Sequence, residues 1–378
     1  MIWRVAAALL MLTGAAMAAE PPAKPEGAYR IATFNASLNR RNPGELAQEL
    51  RLGGSPQIDA VVEIIQRVRP DVILINEIDH DARQIAAALF RDELKVGREG
   101  AAGINYPHLF NAPSNTGVSS GYDLDGDGRV SGPKDAFGFG YFAGQYGMAI
   151  LSQHPIAPPR TFQDQLWIDM PGHLIPMEHY GDAASALRLS SKSHWDAPVT
   201  LPDGRTLHVL ASHPTPPVFD GPMNENGRRN HDEIRFWVDY VTGRDWMTDD
   251  EGRQGGIATD AGWVVLGDLN ADPFDGGSMR AALLSLMNVA QDPAPVSDGG
   301  LAAANKRHRG DPATDTADWR DDKGPGNLRV DYVLPSQDWE VLQSGVFWPA
   351  AGDPLRRLVG DGEEVVSSDH RLVWVDIR

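Results

Sequence analysis

The sequence contains no cysteine. This absence excludes disulfide bonds, thiol nucleophiles and metal sites built on thiolates. Any metal ion that the protein binds must therefore be held by oxygen atoms or by histidine nitrogen atoms.

A run of about 20 apolar residues, the length that a membrane-spanning helix needs, is also missing. The first twenty residues instead carry Arg4, an apolar stretch over residues 5–12 and small residues that end at Ala18. This pattern predicts a secretory signal peptide over residues 1–18, followed by a mobile Pro-rich lead-in over residues 19–28. We therefore expect an exported protein without stable membrane insertion, either periplasmic or secreted. The alternative is an uncleaved anchor.

Basic residues are too few to balance the acidic ones, and the formal net charge is -18 at pH 7. Such an excess of negative charge repels nucleic acids and anionic membranes unless local basic groups or bound cations intervene. The charge therefore argues against tight binding of DNA. It does not exclude a nuclease, because carboxylates that hold divalent cations contribute to the same total.

From Tyr29 onward, short apolar runs alternate with helical patterns, which predicts a packed α/β protein. The length allows one large domain or two ordinary ones, and we expect a single domain over residues 29–378 with an inserted acidic loop around 105–140. Helices are predicted over residues 56–68, with Ser55 as the N-cap, and over 230–241 and 279–287. Buried strands are predicted at residues 30–34, 72–75, 148–151, 207–212, 263–266, 330–334 and 372–375.

Residues that can do chemistry stand at the ends of five predicted strands. Each residue alone has a structural explanation, such as capping a turn or a helix. Together they supply carboxylate, amide and imidazole groups in a loop-lined cleft, as metal-assisted attack of water on phosphorus requires. These residues are Asn35, Asn76 and Glu77, Ser212 and His213, Asp268 and Asn270, and Asp369 and His370.

Five short motifs follow one another along the chain, each beside a predicted strand. They are Thr33-Phe34-Asn35, Ile75-Asn76-Glu77, Gly267-Asp268-Leu269-Asn270, Arg329-Val330-Asp331-Tyr332 and Ser368-Asp369-His370. In this order they resemble the endonuclease/exonuclease/phosphatase superfamily, which includes pancreatic deoxyribonuclease-like enzymes. The resemblance implies an α/β fold of two β-sheets packed face to face and flanked by helices, a four-layer α/β/β/α sandwich.

The resemblance also implies a metal site. Asn35 and Glu77 would hold Mg²⁺ or Mn²⁺ against the phosphate, with Asp369 as a further ligand or helper. Asp268 and Asn270 would orient the attacking water and bind the phosphate. Asp268 would in addition act as a base or as a second-metal ligand.

Two histidines complete the implied site. His370 resembles the imidazole that binds a phosphate oxygen or assists proton transfer, and Asp331 resembles the carboxylate that fixes its tautomer. His213 matches a second histidine of the deoxyribonuclease-like members, a candidate general acid for the leaving oxygen. In that pattern a carboxylate orients this histidine, but here the matching stretch, residues 144–147, has none. Gln145 is the candidate that would replace it as a neutral hydrogen-bond acceptor.

Two further polar segments lie between the metal-site motifs. Arg188 is a candidate phosphate contact, and a surface hairpin is the alternative. The polar residues 220–235 could line the cleft, but we favour a structural role in which Asn230 caps a helix and Asp232 and Glu233 complement its dipole.

An acidic loop places Asp123, Asp125 and Asp127 at alternate positions before Gly128. This spacing resembles the first half of an EF-hand loop, although Lys134 stands where a bidentate glutamate is expected. We predict a shortened, structural Ca²⁺ site that pins the insertion near the cleft. The alternative is an acidic glycine-rich turn without an ion.

The sequence therefore predicts an exported, divalent-metal-dependent phosphoester hydrolase that acts by direct attack of water. We favour a phosphodiesterase or nuclease, although related folds cleave DNA, RNA, lipid head groups and inositol phosphates with nearly the same central residues. The alternatives are a small-molecule or lipid phosphatase or phosphodiesterase, and a calcium-stabilised inactive binding module. We expect a monomer, and the sequence indicates no protein partner.

Overall fold

The computed structural model describes residues 20–258, 260–305, 307–360 and 365–378, so the predicted signal peptide over 1–18 lies outside the described residues. The α-helices are α1 (Glu45–Leu52), α2 (Pro56–Val68), α3 (Ile85–Glu93), α4 (Met177–Tyr180), α5 (Glu225–Val241), α6 (Ala281–Val289) and α7 (Asp298–Ala303). The strands are β1 (Tyr29–Asn35), β2 (Val72–Asn76), β3 (His108–Phe110), β4 (Met148–Ser152), β5 (Arg160–Thr161), β6 (His194–Thr200), β7 (Thr206–Ser212), β8 (Trp263–Asp268), β9 (Ala317–Asp318), β10 (Asn327–Leu328), β11 (Asp331–Pro335), β12 (Val341–Val346) and β13 (Val373–Ile377).

The strands form two large sheets, each with a parallel pair near its centre. The first sheet has six strands in the order β12-β13-β1-β2-β4-β3, with β1 and β2 parallel. The second has five strands in the order β11-β8-β7-β6-β5, with β7 and β8 parallel. Because the carboxyl ends of parallel neighbours lie at the same edge of a sheet, each sheet presents one edge at which two such ends meet.

Side chains of β7 show how the layers pack. Val209 and Ala211 belong to the core that contains β1 and α2, whereas Leu210 belongs to the core that contains α5 and α6. Successive strand residues point to opposite faces, so the second sheet packs on the first sheet with one face and on helices with the other. The predicted two-sheet sandwich flanked by helices is confirmed.

The helix predicted over 56–68 has these bounds in the structure, with Ser55 at its N-cap position, but the Ser55 hydroxyl donates to Glu49 Oε1 at 2.5 Å and not to the helix backbone. Another helix start differs from the sequence prediction. The helix predicted over 230–241 begins at Glu225. The sequence missed this first part of α5 because its residues are polar and carry no apolar stripe.

Asn230 therefore lies inside α5, and the prediction that it caps the helix is wrong. Its Nδ2 donates to the carbonyl oxygen of Thr215 at 2.8 Å. Glu233 Oε2 accepts the backbone N–H of Thr215 at 2.6 Å. Both side chains are buried, as is Asp232. These residues join α5 to the segment that follows β7, because buried polar groups need partners and the loop supplies them.

The described part of the lead-in contacts the domain. Lys24 Nζ lies 2.6 Å from Asp71 Oδ1, and Arg30 donates to the carbonyl oxygen of Pro22 at 2.9 Å. Static contacts do not measure motion, so the mobility of residues 19–28 stays a prediction. Among the described residues, no helix combines the length and apolar character that a membrane crossing requires.

His194 at the start of β6 gives a prediction for stability. Its Nε2 donates to the carbonyl oxygen of Glu233 at 2.8 Å, its Nδ1 contacts Ser190 Oγ, and burial lowers its pKa from 6.5 to about 4. The folded state therefore favours the neutral ring. This contribution is fully present above pH 6.5, and we expect roughly 3 kcal/mol of it to be lost as pH falls from 6.5 towards 4.

Urea denaturation at several pH values checks this expectation. His194→Gln should flatten the pH dependence in this window, whereas His179→Gln, at an exposed position, should leave it unchanged. Equal pH dependence in the wild-type protein and His194→Gln would show that other groups cause the acid sensitivity.

Candidate active site

The parallel strands of the two sheets end against each other. In the register of β1 and β2, Asn35 lies beside Asn76, and Glu77 follows directly. Asn76 Nδ2 donates to the carbonyl oxygen of Ser212 at 3.4 Å, and Asn76 Oδ1 accepts the backbone N–H of Asp268 at 3.3 Å. Asn76 therefore connects the carboxyl ends of β2, β7 and β8 and brings their polar side chains together.

Gly267 makes this close approach possible. Its φ of +145° and the position of Ser212 leave no room for a side chain, since a Cβ atom there would lie 2.0 Å from the carbonyl oxygen of Ser212. Only glycine fits between β7 and β8 at this point. The Gly-Asp pair thus places the Asp268 carboxylate in the cleft.

The Asn35 amide joins the two sheets at their charged side chains. Its Nδ2 donates to Glu77 Oε1 at 3.2 Å and to Asp268 Oδ2 at 3.0 Å. Asn39, which the sequence analysis missed, donates to Glu77 Oε2 at 2.8 Å. Glu77 also has a φ of 60°, a strained conformation for a bulky residue that is found mainly where function requires it.

A buried ion pair lies beside Asp268. In the register of β8 and β11, Asp331 lies opposite Asp268, and His370 Nδ1 donates to Asp331 Oδ2 at 2.9 Å. Thr316 donates to the same oxygen at 2.8 Å, and His370 Nε2 lies 3.7 Å from Asp268 Oδ2. The predicted dyad of His370 and Asp331 is therefore in contact, with its free ring nitrogen facing Asp268.

Opposite charges set the protonation of these groups. Burial alone would lower the pKa of His370, but the carboxylates of Asp331 and Asp268 outweigh it and raise this pKa well above 6.5. Burial alone would raise the pKa of Asp268, but the His370 cation and hydrogen bonds from His213 and Asn35 hold it well below its usual range. At neutral pH the site therefore pairs an imidazolium with carboxylates.

Asp369 lies beside this pair, but both of its oxygens already accept hydrogen bonds. Ser37 Oγ donates to Oδ1 at 3.2 Å, and the Trp319 indole donates to Oδ2 at 2.9 Å. The Trp319 ring stands edge-on to His370, with the ring centres 5.3 Å apart. These contacts favour the helper role of Asp369, which positions Trp319 against the imidazole.

His213 is buried at the end of β7, with its Nε2 3.3 Å from Asp268 Oδ2. Burial and the nearby Lys192 cation lower its pKa. A neutral ring that donates to Asp268 orients that carboxylate, and it is poorly suited to protonate a leaving group. The suggestion that Gln145 orients His213 is wrong, because Gln145 accepts the backbone N–H of Tyr141 at 2.8 Å and donates to the Arg40 carbonyl at 2.7 Å.

Asn270 and Arg188 have different surroundings. Asn270 has a φ of 51°, donates its backbone N–H to Asp268 Oδ1 at 2.9 Å, and donates Nδ2 to the Pro214 carbonyl at 3.1 Å. It therefore lies within the site. Arg188 is engaged elsewhere, since it donates to Asn115 Oδ1 at 2.6 Å and pairs with Asp164 at 2.8 Å. Its role as a phosphate contact stays a prediction.

Lys192 is the cation that sequence analysis missed. It is 7% exposed, and burial lowers its pKa while the carboxylates of Glu233, Glu77 and Asp268 oppose that shift. It lies just before β6, a strand that the sequence did not predict because polar residues interrupt its apolar pattern. Recognition of β6 and its pairing with β7 would have placed Lys192 near His213.

Replacing Lys192 with methionine tests whether this charge serves the reaction. A fixed donor to developing charge is worth roughly 100-fold in kcat, so we expect a loss of that order in Lys192→Met with little change in metal affinity. Lys134→Met, at an exposed lysine, is the control. If Lys192→Met changes the metal affinity but keeps its kcat, Lys192 only compensates the negative charge of the nearby carboxylates and does not serve the reaction.

The donor set fits a hard divalent cation. Asp268, Asp331 and His370 have potential ligand atoms within 4.8 Å of one another, but the cationic ring of His370 carries a proton on each nitrogen and is a poor ligand. Glu77, Asp268 and Asn35 supply oxygen and no sulfur. The Asn35 N–H now lies between the two carboxylates, where a positive charge would be stabilised. A flipped amide would present an oxygen instead.

The acidic loop differs in one member from the predicted set. Asp123 and Asp125 group with the buried Asp135, whose oxygens also accept the backbone N–H of Leu124 at 2.8 Å and of Ser131 at 2.9 Å. Asp127 is outside this group. The chain turns back after Gly128 and thereby brings Asp135 to the cluster, one residue beyond the position expected from an EF-hand loop. Calcium binding itself stays a prediction.

This cluster predicts how calcium should affect stability. A ligand at about 100 times its dissociation constant stabilises the native state by about 2.7 kcal/mol. We expect calcium to raise the Tm of the wild-type protein and of Asp127→Asn, and the increase to be lost in Asp125→Asn. Thermal denaturation with calcium or with chelator measures it. The same Tm in both conditions for the wild-type protein would favour a turn without an ion.

Comparison with known proteins adds independent information on the fold. A family model described as Endonuclease/Exonuclease/phosphatase family matches residues 32–370. No curated protein matches the sequence. An endonuclease/exonuclease/phosphatase from Beutenbergia cavernae DSM 12333 has a similar structure, with a TM-score of 0.50, 16% identity and coverage of 93% of this chain and 71% of that chain.

Two other solved structures have lower similarity. An endonuclease/exonuclease/phosphatase family protein from Leptotrichia buccalis C-1013-b has a TM-score of 0.48 and 15% identity, covering 93% of this chain and 99% of that chain. Sphingomyelinase C from Streptomyces griseocarneus has a TM-score of 0.44 and 16% identity, covering 92% and 99%. The family match confirms the resemblance found in the sequence.

Proposed function

The chain belongs to the endonuclease/exonuclease/phosphatase family, whose members hydrolyse phosphoesters, and from this membership we propose that it is an exported, divalent-metal-dependent phosphodiesterase or nuclease. One observation carries the proposal. The Asn35 amide contacts Glu77 from the first sheet and Asp268 from the second, so the two sheets together form one oxygen-rich site. This contact brings the buried Asp268 carboxylate and the half-buried Glu77 carboxylate to one amide group, where a divalent cation would offset their mutual repulsion.

The residues have separate tasks in this mechanism. A divalent cation held by Glu77, Asn35 and Asp268 would neutralise charge on the phosphate and polarise its bonds. Asp268 accepts a hydrogen bond from the attacking water and orients it. Because a carboxylate of low pKa is a weak base, Asp268 would take the water proton only as the bond to phosphorus forms and the water becomes more acidic. His213 and Asn270 fix the position of this carboxylate.

The cations stabilise the charge that develops on the phosphate. His370, kept protonated by Asp331, offers its Nε2–H to a phosphate oxygen or to the leaving oxygen. Lys192 adds a positive charge near Glu77, Asp268 and His213. Such charges act strongly in a buried site because they need little reorganisation during the reaction.

A substrate panel with the purified protein tests the proposal. Plasmid DNA, RNA, bis-p-nitrophenyl phosphate and p-nitrophenyl phosphate are compared with Mg²⁺, Mn²⁺, Ca²⁺ or chelator. We expect cleavage of diesters with Mg²⁺ or Mn²⁺, loss of cleavage with chelator, and recovery when metal is restored. Cleavage that chelator does not change, or no cleavage of any ester by the folded protein with metal, would contradict it.

One observation favours a lipid phosphodiesterase as the second candidate. Phe219, on the loop that follows His213, is 96% exposed and has a φ of 60°. An exposed, strained aromatic residue near the cleft suits contact with an apolar surface. Vesicles of sphingomyelin or phosphatidylcholine therefore extend the panel, and faster release of their head groups than cleavage of any nucleic acid would favour this candidate.

Export rests on the pattern of residues 1–18. We expect the protein recovered from the periplasm or the medium to begin near Ala19, which mass spectrometry of its N-terminus would show. An intact N-terminus in a membrane fraction would instead favour the uncleaved anchor.

A further inference from the structure

A second groove opens from the metal-binding side of the candidate active site. Its volume is about 830 Å³, and its lining includes Asn39, Arg40, Arg41, Tyr141 and Tyr146 together with the carboxylates of Glu45 and Glu49. Asn39 also donates to Glu77 Oε2 at 2.8 Å, so one lining residue of the groove contacts a predicted metal ligand. The groove is therefore placed to receive the part of the substrate next to the reacting phosphate.

Two buried side chains hold the walls of this groove together. Gln145 accepts the backbone N–H of Tyr141 at 2.8 Å and donates to the carbonyl oxygen of Arg40 at 2.7 Å. Asp79 accepts the backbone N–H of Arg40 at 2.8 Å and of Tyr146 at 3.3 Å. The segment after β1 and the segment before β4 are thus fixed relative to each other, which makes the groove preformed.

Tyr146 stands at the inner end of the groove. Its φ of 55° is rare for an aromatic residue and costs on the order of 1–3 kcal/mol, so the surrounding structure imposes it. Burial, followed by the charge of Glu77, raises its pKa. The side chain therefore presents an aromatic ring with a neutral hydroxyl group near Glu77, the predicted metal ligand.

The outer part of the groove has an exposed aromatic residue and, among the described residues, one unpaired arginine. Tyr141 is 69% exposed, and its ring stands edge-on to that of Phe139, with the ring centres 5.7 Å apart. Arg40 is fixed by Glu49 and by Gln57, to which it donates at 3.0 Å. Arg41 is exposed and makes no ion pair in the part of the chain that the structure describes.

We propose that this groove binds the nucleotide next to the scissile phosphate, with its base against Tyr141 and Tyr146 and its further phosphate near Arg41. The inference rests on the proposed phosphodiesterase function and names its substrate class, single-stranded nucleic acid or short oligonucleotides. Aromatic faces with a nearby guanidinium recognise such strands without base pairing. A phosphocholine head group is the competing occupant, because Glu45 and Glu49 also line the groove and Glu49 pairs with Arg40, so that only Arg41 opposes its quaternary ammonium.

Two diesters with the same leaving group test this assignment. Thymidine 5′-(p-nitrophenyl phosphate) carries a base and methyl p-nitrophenyl phosphate does not, so the ratio of their kcat/KM values isolates the contribution of the nucleoside. We expect the wild-type protein to favour the thymidine ester by at least roughly tenfold. Tyr141→Leu should lower this ratio by roughly tenfold, mainly through a higher KM for the thymidine ester.

The controls separate the groove from the rest of the protein. Tyr122→Leu removes a 37% exposed tyrosine of the same insertion that does not line the groove, and should leave the ratio unchanged. Gln145→Leu, which removes one of the two side chains that join the walls, should lower the ratio mainly through KM. Circular dichroism and gel filtration confirm that each variant folds.

The outcomes distinguish failure of the groove from failure of the proposed function. Equal hydrolysis of both esters, a ratio unaffected by Tyr141→Leu, or a preference for p-nitrophenylphosphorylcholine overturns the groove assignment while leaving the hydrolase in place. If no diester is hydrolysed, the proposed function fails. The groove assignment is then tested by calorimetry, which measures whether thymidine 3′,5′-diphosphate binds to the protein in the presence of chelator. Binding weakened by Tyr141→Leu and Arg41→Gln supports it, and no binding overturns it.

Discussion

Asp268→Asn should lower kcat/KM for a diester by about 10³-fold while the protein stays folded. The carboxylate is held in its charged form by the His370 cation and by hydrogen bonds from His213 and Asn35. Asparagine has the same shape and can still accept a hydrogen bond from Asn35. It removes the charge that orients water, binds metal and keeps His370 protonated, so the three effects are lost together.

The pH profile and a matched variant make this test specific. His370 should lose part of its raised pKa in Asp268→Asn, and residual activity should therefore decline at a lower pH than in the wild-type protein. Asp196→Asn is the control, because Asp196 is also buried but contacts His208 of β7 and Tyr240 of α5. Its variant should lose stability and retain turnover. Full activity of Asp268→Asn would remove Asp268 from the mechanism.

Glu77→Gln should weaken metal binding at least 100-fold and lower activity correspondingly at a metal concentration that saturates the wild-type protein. Glu77 is the carboxylate that Asn35 and Asn39 both contact, and glutamine retains its size while removing one negative charge. High metal concentrations should restore part of the activity. Substitution of Asp268 should not be rescued in this way if its main task is to orient water.

Calorimetry with Mn²⁺ gives a measure of metal binding that does not depend on turnover. Glu63→Gln is the control, since Glu63 is a buried carboxylate of α2 that pairs with Arg67 and Arg357 far from the strand ends. It should bind Mn²⁺ as the wild-type protein does. Unchanged Mn²⁺ affinity in Glu77→Gln would place the metal elsewhere in the cleft.

Strands with uninterrupted apolar runs were predictable, because central strands are buried on both faces. β2 and β8 are entirely buried, and their apolar runs stand out in the sequence. β6 was missed because polar side chains interrupt its apolar run: His194 and Asp196 are paired inside the protein by the Glu233 carbonyl and by His208. Periodicity cannot distinguish a buried, paired polar residue from an exposed one.

The acidic loop shows a different limit. Spacing along the chain suggested Asp127 as the third ligand, because EF-hand loops follow a fixed register. The structure brings Asp135 to Asp123 and Asp125 instead. Gly-rich turns between these residues permit several paths, and the path taken depends on contacts of the insertion with the rest of the domain, such as the hydrogen bond from the Asn115 backbone to the Lys192 carbonyl at 2.9 Å.

The sequence by itself determined the fold class, the order of the motifs and the chemical types of the site residues, since these follow from local patterns and from residue identity. Only the tertiary structure decided which residues touch. The contact between Asn35 and Asp268 and the position of Lys192 depend on how two separate sheets pack face to face, whereas the walls that Gln145 and Asp79 join depend on the order β1-β2-β4 within the first sheet. Such packing is set by the sum of many weak contacts across the core, and no short stretch of sequence contains it.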